Sequence, residues 1–222
     1  MQVALEKIVV KPGQQLLLQD ISWQDFDEIL KDLGENRSSR ISYSNGVLEI
    51  MVPLPEHEKN KEVIGDIVKI LLDKLEIDFE PLGSTTFKNE QMTQAVEPDA
   101  CFYIKNYQVV IGKDRLDLSI DPPPDLAIEI DITNRTQLDN YLLLGVPELW
   151  RYTRKGFQIN LLEGGFAEGN ALQVHHYIES KTSPNFPNIP IVELIDCYVK
   201  QAQTEGRSKA IRAFKKWVEE NL

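Results

Sequence analysis

Residues 122–152 read PPPDLAIEIDITNRTQLDNYLLLGVPELWRY, and the fold turns on how this stretch is parsed. After three prolines, which suit no strand interior, Leu126, Ala127, Ile128 and Ile130 make the apolar run of a buried strand. Asn134 or Thr136 caps a compact helix through Leu144, which Gly145 closes and Pro147 keeps from continuing. ELWRYT, residues 148–153, then resumes as a strand. The first strand also carries Asp125, Glu129 and Asp131. Carboxylates enter a core only where a cation or a hydrogen-bond donor meets them.

Side chains two apart on a strand share a face, so Glu129 and Asp131 point the same way, about 7 Å apart at the backbone. Asp125 lies on that face about 13 Å from Glu129, too far for one cation to use both, and after Pro124 it reads as a turn or capping group. Glu129, set between Ile128 and Ile130, needs a partner on a neighbouring strand. AVEPDACFYI, residues 95–104, offers Asp99 at the entry to a second apolar strand. If the two strands pair, the carboxylates face each other, and Mg²⁺ or Mn²⁺ completed by a backbone carbonyl and water suits them. Two structural readings stand beside this: Asp99 as a turn residue after Pro98, and a salt bridge from Arg151 to Glu129.

Working outward, ISWQDFDEILKDLGE, residues 21–35, opens with Ser22 three before Asp25, a variant of the capping box, and predicts a helix ending near Gly34. Asn45-Gly46 within alternating residues predicts a hairpin. From Glu56 to Leu75 the spacing of His57, Ile64, Ile67, Val68, Leu71 and Leu75 predicts a long amphipathic helix with Glu58, Glu62 and Asp66 on its polar face. Short strands are expected at 77–81, 84–88, 99–104 and 115–119, further strands at FQINLLE and LQVHHYIE, and two helices broken at Gly206 in the tail. Strands on both sides of helices make this a mixed α/β protein with a central sheet flanked by helices, an N-terminal helix-hairpin and C-terminal helices. The expected organisation is a single structural domain: residues 1–55 packed on a core of 56–190, then a helical tail of 191–222.

The 222 residues, 42% apolar and 27% charged, suit one globular domain, and no apolar run is long enough to span a bilayer. The N-terminus lacks the pattern of a secretory signal, which favours the cytoplasm. Cys101 and Cys197, far apart in apolar contexts, are expected as buried free thiols. A net charge of −11 counts against a broad basic nucleic-acid surface, although carboxylates that hold divalent metal contribute to that charge.

PEHEKNKEVIGDIVKILL, VEPDACFYI, PPPDLAIEIDIT and above all YLLLGVPELWRY resemble the Uma2 family of restriction-type endonucleases, formerly a domain of unknown function, within the PD-(D/E)xK nuclease superfamily. The resemblance spans most of the chain and implies a restriction-endonuclease-like fold: a four- to five-stranded mixed sheet flanked by helices, with carboxylates gathered at a split in the sheet. It makes Asp99 and Glu129 ligands of Mg²⁺ or Mn²⁺, with His57, Glu58 or Glu62 of the long helix nearby. His57 equally reads as a packing or capping residue at the helix start, and Glu62 as a solvated one. Two departures stand out. The superfamily Lys, two positions after the acidic residue, is Asp131 here, either a third metal ligand or the sign of a lost catalytic step. The Lys that relatives supply from the following helix is Gln137, which can position a water but brings no charge. Two functions follow as expectations: a metal-dependent DNA endonuclease, with a homodimer as the natural way to cut both strands, or a catalytically inactive nuclease-fold protein that binds nucleic acid or a partner.

Overall fold

The computed structural model describes residues 8–34, 37–83, 85–90, 93–113, 116–118, 120–132, 138–166 and 173–222. In chain order, β1 (Gln15–Leu18) leads to α1 (Trp23–Leu33), whose first turn Ser22 and Asp25 close by reciprocal capping and whose last turn ends at Gly34. The hairpin of β2 (Arg40–Ser44) and β3 (Val47–Met51) turns at Asn45 and Gly46, both with positive φ as a two-residue hairpin of this twist requires. Pro55 then starts α2 (Pro55–Lys74), the long amphipathic helix.

Next come β4 (Glu80–Pro81), β5 (Phe87–Asn89), β6 (Gln94–Val96), β7 (Ala100–Tyr103), the single turn α3 (Tyr107–Val110) and β8 (Leu126–Asp131). The chain closes with α4 (Leu138–Leu144), β9 (Glu148–Thr153), β10 (Gly156–Phe166), β11 (Gln173–Ser180), α5 (Ile191–Glu205) and α6 (Arg207–Asn221). The expected strand at 115–119 is absent among the described residues: Asp117 N–H donates to Asp121 and the Asp121 N–H returns to the Asp117 carbonyl, which closes a turn.

The strands form two sheets. One is six-stranded and mixed, in the order β11-β10-β9-β8-β7-β4, with β8 and β9 its parallel pair. The other is antiparallel, in the order β1-β3-β2-β6-β5, so the hairpin is one part of a five-stranded sheet. The chain crosses between them at Glu97-Pro98-Asp99: β6 belongs to the second sheet and β7 to the first. Proline donates no ladder hydrogen bond, so the break falls at Pro98. Glu97 anchors the crossing, pairing with Arg37 and accepting the N–H of Ile41 at 3.1 Å.

Alternation along β8 divides the core. Leu126, Ile128 and Ile130 pack with α2, α5 and α6 through Ile64, Ile67, Leu71, Ile195 and Phe214. Ala127 packs on the other face with Cys101, Tyr103, Tyr141 and Leu149, and a third cluster seats α1 through Phe26 on Tyr43 and Leu48. The C-terminal helix docks on this same molecule, with Ala210, Phe214 and Val218 buried. Of the two thiols only Cys101 is buried; Cys197 is exposed, because its side chain lies on the outer side of α5 while Leu194, Ile195, Tyr198 and Val199 take the inner one. Among the described residues no helix is long and apolar enough to cross a membrane.

Candidate active site

The site forms where the β7–β8 ladder meets the break at Pro98. Ala100 pairs with Ile128 in antiparallel register, which sets Asp99 opposite Glu129 on the face shared with Ala127. Asp99 N–H donates to the Ile128 carbonyl at 3.1 Å, and the Ile130 N–H donates to Asp99 Oδ2 at 2.8 Å. The Asp99 carboxyl thus stands in for a backbone carbonyl at the end of the ladder. Asp99 and Glu129 are 3% and 8% exposed, and their carboxyl groups hydrogen-bond to each other.

Two buried acids in such contact cannot both ionise cheaply. Burial, and then the charges of Asp99 and Asp131, push Glu129 well above the usual carboxylate range. The Tyr141 hydroxyl, presented by α4, donates to Glu129 Oε1 and opposes part of that rise. Burial pushes Tyr141 itself far up, so it remains the donor throughout the ordinary pH range.

From the first turn of α2, buried His57 donates through Nε2 to Asp99 Oδ2 at 3.0 Å, while its Nδ1 lies 3.6 Å from Glu58 Oε1, an ion-pair distance too long for a hydrogen bond. Burial disfavours the imidazolium, but the contacts with Asp99 and Glu58 outweigh it and raise His57 to about 9. The His57 contact in turn lowers Glu58 to about 2, against some desolvation and with help from Lys61 and Arg40. Arg40, at the start of β2 in the other sheet, reaches Asp99 Oδ1 at 3.5 Å and Glu58 Oε1 at 3.3 Å.

On the opposite side of Glu129 lies Arg151 of β9, its in-register neighbour on the parallel strand. The guanidinium passes Glu129, already engaged by Tyr141 and Asp99, and binds Asp131 Oδ2 through Nε at 2.7 Å and also through Nη2. The salt bridge expected from Arg151 to Glu129 is therefore made to Asp131. Of the other expected residues, Glu58 joins the site and Glu62 lies exposed on the outer face of α2. Gln137 lies outside the described residues. Asp125 accepts the N–H groups of Ile104, Lys105 and Asn106 at 2.7, 2.9 and 3.2 Å, a structural anchor for that turn. His175 and His176 are both exposed.

Arg40 carried no local signal, since its role depends on two sheets meeting at residue 99. Tyr141 did: it begins the YLLLGVPELWRY run and sits where a helix after β8 turns back over the acidic face.

The donor chemistry suits a hard divalent cation at one place. Among the described residues no cluster of three or more His, Cys, Asp or Glu side chains is arranged to hold a metal ion. The touching carboxyls of Asp99 and Glu129 nevertheless match Mg²⁺, which commonly binds through one or two carboxylates and keeps several waters. A cation bound there would take the place of the proton shared by the two acids.

The fold and site define a mixed α/β protein with paired acidic side chains at a split between strands. The chain belongs to the Uma2 family, described as "putative restriction endonuclease", whose model matches residues 23–191. A solved structure from Anabaena variabilis ATCC 29413, described as a "putative nuclease belonging to DUF820", is similar over 83% of this chain and 97% of its own, at 14% identity and a TM-score of 0.46. No curated protein matches the chain.

Proposed function

We propose that the protein is a metal-dependent endonuclease that hydrolyses phosphodiester bonds of DNA, with Asp99 and Glu129 holding Mg²⁺ or Mn²⁺. The observation that carries this reading is the facing, touching pair of buried carboxyls at the split between β6 and β7, in a chain of a restriction-endonuclease family. When bound, such an ion polarises a phosphoryl oxygen and makes water a competent nucleophile near neutral pH. The chain's own residues prepare the ligands: Ile130 N–H, His57 and Arg40 fix Asp99, and Tyr141 fixes Glu129. In the reaction a water oxygen bonds to phosphorus and the ester bond to the departing sugar oxygen breaks. The water gives up a proton to solvent and the departing oxygen takes one up. Cleavage of both strands calls for two sites, and a homodimer is the arrangement that provides them.

A second reading, a nuclease-fold protein that binds without cutting, is favoured by one observation. Arg40, His57 and Arg151 already engage the acidic side chains. Nicking of supercoiled plasmid separates the two. The endonuclease reading requires Mg²⁺- or Mn²⁺-dependent nicking that is abolished by chelator and by Asp99→Asn in a folded protein. Saturable DNA binding with no nicking under any divalent cation rejects it and supports the second.

A further inference from the structure

We propose that Arg151 is the group that meets the non-bridging oxygens of the scissile phosphodiester, and that Asp131 is the positioning residue that aims it. This rests on the endonuclease reading of the Asp99–Glu129 site. The strand order β9-β8-β7 sets Glu129 between two flanks: Asp99 with His57 and Arg40 on one side, Arg151 on the other. Arg151 shares the face of Glu129, since Leu149 packs with Ala127 and Tyr141 while Trp150 lies in the opposite core cluster. Its side chain is 8% exposed.

A phosphodiester that reaches Glu129 brings a negative charge up to a cluster of carboxyl groups. The two cations on the Asp99 flank are already bound to that residue and to Glu58. Arg151 differs in where it is held: Arg40 divides its contacts between the ligand Asp99 and Glu58, whereas both contacts of Arg151 go to Asp131. A guanidinium has five N–H groups, and Asp131 Oδ2 takes one from Nε and one from Nη2. Three remain, in a rigid plane that this two-point contact orients. As the water oxygen bonds to phosphorus and the bond to the sugar oxygen lengthens, charge grows on the non-bridging oxygens, and these N–H groups donate to them. No proton leaves Arg151. Asp131 is thereby the orienter of a cation rather than a ligand of the metal.

Arg151→Met alone takes the Arg151 charge away from a buried carboxylate and can fail through folding, so the test is the double variant Asp131→Leu/Arg151→Met, in which both charges are removed together. It is compared with wild type, Arg151→Lys, Asp131→Asn and Glu129→Gln in plasmid nicking, Mn²⁺ titration and thermal unfolding. The expected double variant folds, binds Mn²⁺ like wild type, and loses kcat on the order of 10²- to 10³-fold, the effect of removing a donor to a developing oxyanion, with KM little changed. Arg151→Lys keeps part of the rate, and Asp131→Asn lowers kcat less than the double variant does. Wild-type nicking in a folded double variant overturns the proposal and makes the pair structural. Loss of Mn²⁺ binding in it also overturns the proposal and makes Asp131 a ligand. Nicking lost in Glu129→Gln but kept in the double variant overturns this inference alone, whereas a wild type that never nicks overturns the endonuclease reading with it.

Discussion

The environment of His57 makes the stability of the metal-free protein fall as the solution becomes alkaline. The imidazole rises from 6.5 to about 9 on folding, so between those values the native state binds a proton that the unfolded chain does not. A raised histidine contributes stability that is fully present below pH 6.5 and is lost as pH climbs through 9. At about 1.4 kcal/mol per pH unit, the shift corresponds to about 3 kcal/mol. The residue is 1% exposed, so little solvent screening reduces the effect. The assay is urea unfolding of metal-free wild type and His57→Gln from pH 6 to pH 10. The two stability curves should converge on the alkaline side by about 3 kcal/mol, most of the change falling between pH 7 and pH 9. Curves that stay parallel across that range would refute the reasoning and leave His57 a neutral packing residue.

Two further outcomes follow from buried donors and acceptors. Asp125→Ala strips three backbone N–H groups of their acceptor at the turn after β7 and should cost about 3 kcal/mol in chemical unfolding; a loss within experimental error would show that water replaces the carboxylate freely. Tyr141→Phe removes the hydroxyl that donates to Glu129 and should lower stability by about 1 kcal/mol. It should also move the titration of Glu129 further upward, so that Mn²⁺ binding weakens more at pH 6 than at pH 8 in calorimetry.

Much of the architecture was legible because local signals agreed with the tertiary outcome. The Ser22 capping box, the Asn45-Gly46 turn, the amphipathic run from Glu56 and the break at Gly206 all mark the elements they predict. What escaped was long-range. β1 and β6 are four and three residues long, and their identity as strands depends on pairing with β3 and β2 rather than on their own pattern. The second sheet escaped for the same reason, since a crossing at Pro98 is invisible until both sets of partners are known. In the site, proline and alternation placed Asp99 at a strand entry and Glu129 within an apolar strand, while their facing rested on a strand pairing that no local signal sets. Arg40 lies fifty-nine residues from Asp99 in sequence, and nothing near it announces the contact. The choice of Arg151 for Asp131 over Glu129 depended on Tyr141 and Asp99 already occupying Glu129.

The account stands on a cation replacing the proton between Asp99 and Glu129, and calorimetric titration of Mn²⁺ into wild type and Glu129→Gln tests it most directly. The prediction is one site per chain in the wild type, with protons released on binding, and no saturable binding in the variant. Equal binding by both proteins, or none by the wild type, would contradict it.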